Sequence, residues 1–223
     1  MLGLLLPQRC LVCGDGGTLL CAGCREALPR LEPPLCELCG APTAWPVRRC
    51  RECAGRRIGF ASARAAVPYG EAVRRLVAGW KERGLRGLAL PAAGLVAARV
   101  ARPEAAVLTF VPPDRARRRD RGHHPAERLA RALASEWGLP CEPLLVRTRD
   151  GRRQRGLSLP ERRRNVAGAF SAPAPVPDTV LLVDDVYTTG ATVSAAASAL
   201  RAAGAGRVDV VTFARTIRSR EAT

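Results

Sequence analysis

The apolar residues of this 223-residue chain fall into short blocks with two different periods. Runs such as "AVLTFVP" (106–112) and "VLLV" (180–183) are nearly continuous, as expected of strands covered on both faces. "FASARAAVPY" (60–69), "EPLLVR" (142–147) and "RVDVVTFA" (207–214) read as further strands, and "VAGAF" (166–170) as a short extended piece. Residues 71–83, 87–101, 124–137 and 190–203 carry apolar positions at helical spacing. Strands alternating with helices predict an α/β fold, a central mostly parallel sheet flanked by helices. From Thr148 to about Arg164 the pattern lapses into an arginine-rich polar loop, long enough to be functional or mobile. Residues 1–59 show neither period and need some source of stability other than a core. The expected division is a Cys-rich module at 1–59, a main domain at 60–215 and a charged tail at 216–223.

The module's cysteines suggest that source. Eight of the nine cysteines form Cys-x-x-Cys pairs: Cys10/Cys13, Cys21/Cys24, Cys36/Cys39 and Cys50/Cys53. Such a turn presents two thiolates to one tetrahedral zinc, and two turns complete a four-sulfur site. Redox dithiols would not need four pairs. A catalytic zinc would keep a position open beside His or carboxylate, and the segment has no histidine. Two structural zinc ions are expected, with sequential pairing of the turns; interleaved pairing needs longer excursions. Cys141 stands apart and reads as a buried residue.

Formal charge is +16, which favours anionic partners such as nucleic acid and polyphosphates. The excess is almost all arginine, since Lys81 is the only lysine and Asn165 the only asparagine, so GC-driven composition accounts for part of it. "MLGLLLPQRC" makes a poor signal peptide, and no apolar run is long enough to span a membrane, so a cytoplasmic protein without membrane insertion is expected.

The densest chemistry lies in "VLLVDDVYTTGATVSAA". A parallel sheet places its ligand site past the carboxyl ends of its strands, which puts Asp184 and Asp185 there. The helix that follows Gly190 opens with unpaired N–H groups that attract anions. Thr188, Thr189 and Thr192 add hydroxyls, and Gly190 allows close approach. A phosphate beside two carboxylates is repulsive unless the carboxylates accept hydrogen bonds from a diol or hold a hydrated Mg2+. The implied ligand is a ribose 5-phosphate group. A capped helix start is the simpler alternative, but a cap needs far fewer residues. No Walker loop or dinucleotide fingerprint is present.

The stretch closely resembles the phosphoribosyl pyrophosphate (PRPP) signature of type I phosphoribosyltransferases. That resemblance implies ribose binding by Asp184 and Asp185, and 5-phosphate binding by Thr188, Thr189, Gly190 and Thr192, with Mg2+ accompanying PRPP. "FVPPDRARRRDRGHHPAERLARALA" (110–134), "RTRDGRRQRGLSLPERRRNVAGAF" (147–170) and the cysteine quartets resemble the ComF family of late-competence proteins. The resemblance runs from about Leu5 to Arg215. It implies a double zinc ribbon before a phosphoribosyltransferase domain and a link to DNA uptake, natural transformation and use of external DNA.

Candidate pyrophosphate and lid residues are then Lys81, Pro112, Pro113, Arg115, Arg121, Arg149, Gln154, Arg163 and Asn165. The simpler reading of Lys81 is an amphipathic-helix lysine, and that of the 148–164 loop a solvated charge run. The family reads Arg-Gly-Phe/Tyr-Asn-Gln where this chain has Arg121-Gly122-His123-His124-Pro125, so no substrate contact carries over at 123–125, and the histidines read as surface or helix-start residues. The expected activity is phosphoribosyl transfer to an unspecified acceptor. The alternative is a nucleic-acid-binding adaptor that keeps a PRPP site, with single-stranded DNA and competence or DNA-processing proteins as partners.

Overall fold

All but one of the longer apolar blocks form the strands that their pattern predicts, and the helical stretches pack on both faces of them. The computed structural model describes residues 8–114, 123–148, 168–173 and 175–217. Strands are β1 (Ser62–Pro68), β2 (Val107–Phe110), β3 (Val146–Arg147), β4 (Phe170–Ser171), β5 (Thr179–Tyr187) and β6 (Arg207–Arg215). Helices are α1 (Ala22–Ala27), α2 (Glu71–Lys81), α3 (Ala89–Arg99), α4 (Pro125–Trp137) and α5 (Ala191–Ala202). The main sheet has the order β1-β6-β5-β2 and is parallel throughout.

Alternation along β5 decides which face each residue serves. Leu181 and Val183 join α2, α3 and α4 in one core. Val180 and Leu182 join α5 in a second core on the opposite face. Val186 rejoins the first core and Tyr187 the second, so the alternation shifts by one across Asp184 and Asp185. Helix α2 buries Val73, Leu76, Val77 and Trp80, the i, i+3, i+4, i+7 stripe of an amphipathic helix. Helix α4 starts on Pro125, whose missing N–H costs nothing at that position, and stops at the left-handed Gly138.

The cysteine segment is divided between the two cores. Leu19, Leu20 and Leu28 pack with the α2–α4 side. Cys36, Cys39, Cys53 and Phe60 pack with the α5 side. Between them the segment covers the outer edge of β1: the Ala63 N–H donates to the Leu38 carbonyl at 2.8 Å, and Arg64 donates to the Glu37 carbonyl at 2.9 Å. An uncovered strand edge is a template for unwanted pairing.

Two sequence expectations need correction. "EPLLVR" is not one strand: residues 140–142 bridge β2 in parallel, through Leu108 N–H to the Pro140 carbonyl at 2.8 Å and Glu142 N–H to the Leu108 carbonyl at 2.9 Å. Pro143 has no N–H to continue the ladder, and only Val146–Arg147 pairs again, antiparallel to β4. Secondly, Asp184 and Asp185 lie inside β5 and not beyond it, because β6 continues the pairing as far as Tyr187↔Arg215.

Candidate active site at the end of strand β5

Strand β5 turns directly into α5 through Thr188, Thr189 and Gly190. Gly190 caps α5 with φ +70°, a left-handed conformation that favours glycine. A Cβ there would also collide with the Tyr187 ring. The Ala191 N–H reaches the Thr189 hydroxyl at 3.3 Å, and Thr189 is buried while Thr188 and Thr192 are half-buried. The turn therefore holds hydroxyls and the amides of a 12-residue helix around one point.

The acidic pair sits just before it. The Asp185 N–H donates to the Asp184 carboxylate at 2.9 Å. Asp185 is buried and pairs with Lys81, with Nζ and Oδ1 2.6 Å apart. Burial pushes the Asp184 carboxyl up to about 7, the neighbouring Asp185 pushes the same way, and the Lys81 and Arg147 cations oppose both. The chain's only lysine thus reaches the acidic pair from the last position of α2.

His123 fixes that position. It is buried, and its Nε2 lies 2.7 Å from the Trp80 carbonyl. A carbonyl only accepts, so Nε2 carries the proton. His123 is therefore neither a surface residue nor a helix-start residue, and it tethers the residue before Lys81. His124 occupies the helix-start position, as the cap of α4, with its ring edge-on to Phe110 at 5.6 Å. Pro112 and Pro113 follow β2 beside the acidic pair, since the Val111 N–H donates to the Val183 carbonyl at 3.0 Å. Arg115, Arg121, Arg149, Gln154, Arg163 and Asn165 lie outside the described residues.

The cysteines fall into two clusters, Cys10/Cys13/Cys21/Cys24 and Cys36/Cys39/Cys50/Cys53, each with its ligand atoms within 4.8 Å of one another. Pairing is sequential. A tetrahedron with Zn–S bonds of about 2.3 Å separates its sulfurs by roughly 3.8 Å. The observed contacts are 3.7 Å for Cys13–Cys21, 3.7 Å for Cys36–Cys53, 3.5 Å for Cys39–Cys50 and 3.8 Å for Cys50–Cys53. Both clusters fit zinc with no open position, the signature of a structural site.

Comparison with known proteins agrees with both halves. The phosphoribosyl transferase domain family matches residues 108–223, over half of the chain. The chain belongs to that family. The double zinc ribbon domain matches residues 1–54. Competence protein F of Haemophilus influenzae is 28% identical over 210 residues, covering 88% of this chain and 90% of that protein. DNA utilization protein YhgH of Salmonella typhimurium is 29% identical over 227 residues, covering 96% and 100%. A zinc ribbon joined to a phosphoribosyltransferase domain, with these relatives, makes this a ComF-family protein. The crystal structure of TT1426 from Thermus thermophilus overlays 62% of this chain and 85% of its own, at 19% identity and a TM-score of 0.33. No helix among the described residues is long and apolar enough to cross a membrane.

Four residues around the β5–α5 turn escaped the sequence reading as site residues: Arg56, His123, Arg147 and Arg215. Arg215 left one trace, a charge ending an otherwise buried strand. Arg56 lies in an arginine-rich run with nothing to set it apart.

Proposed function

We propose that this ComF-family protein binds PRPP at the β5–α5 turn and transfers its phosphoribosyl group, in the service of DNA uptake and use of external DNA. One observation carries the ligand: an acidic pair, its Asp185 buried and held by the chain's only lysine, stands next to a helix start capped by left-handed Gly190. Asp184 and Asp185 accept from the ribose diol. Thr188, Thr189, Gly190 and Thr192 hold the 5-phosphate. Before ligand arrives, Lys81 neutralises Asp185. When the diol takes the carboxylate, the ammonium turns to the pyrophosphate, a compact point charge suited to that task.

In the transfer, the bond from the anomeric carbon to pyrophosphate breaks with its electron pair leaving on oxygen. The acceptor's lone pair forms the new bond. Mg2+ carried with PRPP supplies charge neutralisation on the leaving group. Pro112 and Pro113 stiffen the wall beside the acidic pair, and Arg115, Arg121, Arg149, Gln154, Arg163 and Asn165 are assigned to the leaving group and the lid. The thiolate-rich zinc sites suit a reducing cytoplasm. Calorimetric titration of PRPP with Mg2+ tests the ligand. Wild type binds and Asp184→Ala/Asp185→Ala does not; equal binding by both would refute the assignment. Pyrophosphate release across a panel of bases and nucleic acids then identifies the acceptor.

A second partner, single-stranded DNA, is supported by a cleft of about 690 Å³ at the opposite end of the sheet, between the zinc ribbon and the strand starts. Arg30, Arg64, Arg99, Arg102 and Arg207 line it together with Glu32, Glu104 and Asp209, the last paired with Arg207 at 2.6 Å. Arg99 donates to the carbonyls of Arg25, Leu28 and Pro29, and Arg64 to those of Ala63 and Glu37, so neither charge is cancelled by these contacts. Affinity for an oligonucleotide falls steeply with salt if phosphates bind there, and Arg30→Glu/Arg102→Glu lowers both the affinity and the slope. A flat salt response would remove DNA from this cleft.

A further inference from the structure

The second cysteine cluster touches the foundations of the phosphate turn by two routes. Arg56 lies three residues after Cys53. Its guanidinium donates to the Glu52 carbonyl at 3.0 Å, inside the Cys50–Cys53 turn, and to the Thr189 carbonyl at 2.9 Å, inside the phosphate turn. The second route runs through Arg215, which is 1% exposed at the end of β6. It donates to the Cys39 carbonyl and pairs with Glu52 at 3.2 Å. Its guanidinium lies over the Tyr187 ring, 5.0 Å from the centroid. Tyr187 is the residue whose ring leaves no room for a Cβ at Gly190. Phe60, just past the cluster, meets the same ring edge-on at 6.3 Å.

These contacts join the carbonyls of three cysteine-turn residues, Cys39, Glu52 and Cys53, to the Thr189 carbonyl through Arg56 and to the Tyr187 ring through Arg215. The Arg56 N–H itself donates to the Cys53 carbonyl at 3.3 Å. A filled four-sulfur site fixes the positions of Cys39, Cys50 and Cys53 together. Releasing the metal frees both Cys-x-x-Cys turns, and with them the carbonyls that hold Arg56 and Arg215. The first cluster has no such route to the turn among the described contacts; its segment packs on α2 and α3.

We propose that the second zinc site is a positioning device for the phosphate turn, with Arg56 and Arg215 transmitting its geometry to Thr189 and Gly190. Occupancy of that site then sets how firmly the turn is held, and so how tightly it binds an anion. The consequence for PRPP rests on the ligand reading above; the mechanical link does not.

Amide hydrogen exchange on the full zinc-loaded chain tests the link without any ligand. Arg56→Gln leaves all eight cysteine ligands in place and retains two zinc ions per chain by metal analysis. Exchange across 187–194 rises at least about tenfold in that variant, with β1 and α3 unchanged. Cys50→Ser loses one zinc and shows the same local rise. If Cys50→Ser does not fold, Arg56→Gln and Arg215→Lys carry the test alone. Arg215→Lys keeps the charge yet cannot bridge Cys39 and Glu52 with a planar fork, so it also loosens 187–194. Unchanged exchange at 187–194 in Arg56→Gln and Arg215→Lys overturns the proposal.

Linkage supplies the second arm. If zinc helps PRPP, PRPP must slow zinc release by a corresponding factor, about fivefold or more for an ordinary coupling. Release is followed with a chromogenic chelator. One of the two zinc ions is protected by PRPP in wild type, and the protection disappears in Arg56→Gln. PRPP that binds wild type yet protects neither zinc also overturns the coupling. PRPP that fails to bind wild type overturns the ligand reading and leaves exchange as the judge of the link.

Discussion

Asp184 combines two demands that conflict. In the proposed ribose contact it accepts most strongly from a diol when ionised, yet its surroundings resist ionisation: burial and the adjacent Asp185 hold its carboxyl up at about 7 against an ordinary 3.8. The folded chain therefore keeps a proton through a window, from about pH 4 to about pH 7, in which the unfolded chain has lost it. Stability from this group is greatest below the window, declines across it and is fully lost above it. Asp184→Asn removes the dependence, so the melting temperature of the variant minus that of wild type grows from about pH 5 to about pH 8. PRPP affinity of wild type should climb over the same interval as the carboxylate forms. Calorimetry at several pH values checks this, and a flat profile would take Asp184 out of contact with the ligand.

At the scale of elements, the site is a junction of β5, α5 and the end of α2, and each part has one vulnerable residue. Gly190→Ala forces a Cβ into the Tyr187 ring at a left-handed φ. It should destabilise the chain by about 1–3 kcal/mol and weaken PRPP binding by roughly tenfold or more, read by thermal melting and calorimetry. His123→Ala unties the Trp80 carbonyl and costs about 1–3 kcal/mol, the penalty of a buried acceptor left alone. PRPP affinity falls with it because Lys81 is next in the chain, whereas His124→Ala leaves the affinity near wild type.

The junction was partly legible in advance. The VLLV run, the acidic pair and the Thr-Thr-Gly-x-Thr turn all lie within one continuous segment, where sequence order is spatial order. The tether by His123 was not legible, because it joins positions separated by 43 residues and a lone histidine has no period. The breakup of 142–147 was written in Pro143, a signal that the apolar content around it outweighed.

For the whole molecule, the zinc ribbon is not an appendage but a wall of both cores and the cover of the β1 edge. Stripping zinc should therefore damage more than residues 1–59. A strong chelator at neutral pH is expected to lower the melting temperature of the main transition by about 10 °C or more, since several kcal/mol are at stake in a chain of this size. Calorimetry that showed the main transition unmoved, with only a small separate one lost, would contradict this. Removal of residues 1–59 should likewise expose Leu76, Trp80 and the β1 edge, and yield aggregates by light scattering. Sequence periods had marked this segment as lacking a core of its own; they gave no sign that it shares two cores belonging to others, because shared burial depends on contacts between distant residues.

The strand order β1-β6-β5-β2 puts β6 in the interior of the sheet, between β1 and β5. Arg215, at its end, meets Cys39 across a separation of 176 residues. On a ribosome adding about 5–20 residues per second, roughly 10–35 s pass between the synthesis of those two positions. During that interval the cysteine turns can take up metal, but β1 has no neighbouring strand. Assembly waits for the arrival of β6, which inserts between two strands already made. The nascent chain thus spends its longest exposed period with β1 unpaired, and slower translation before residue 207 should increase its demand for chaperones.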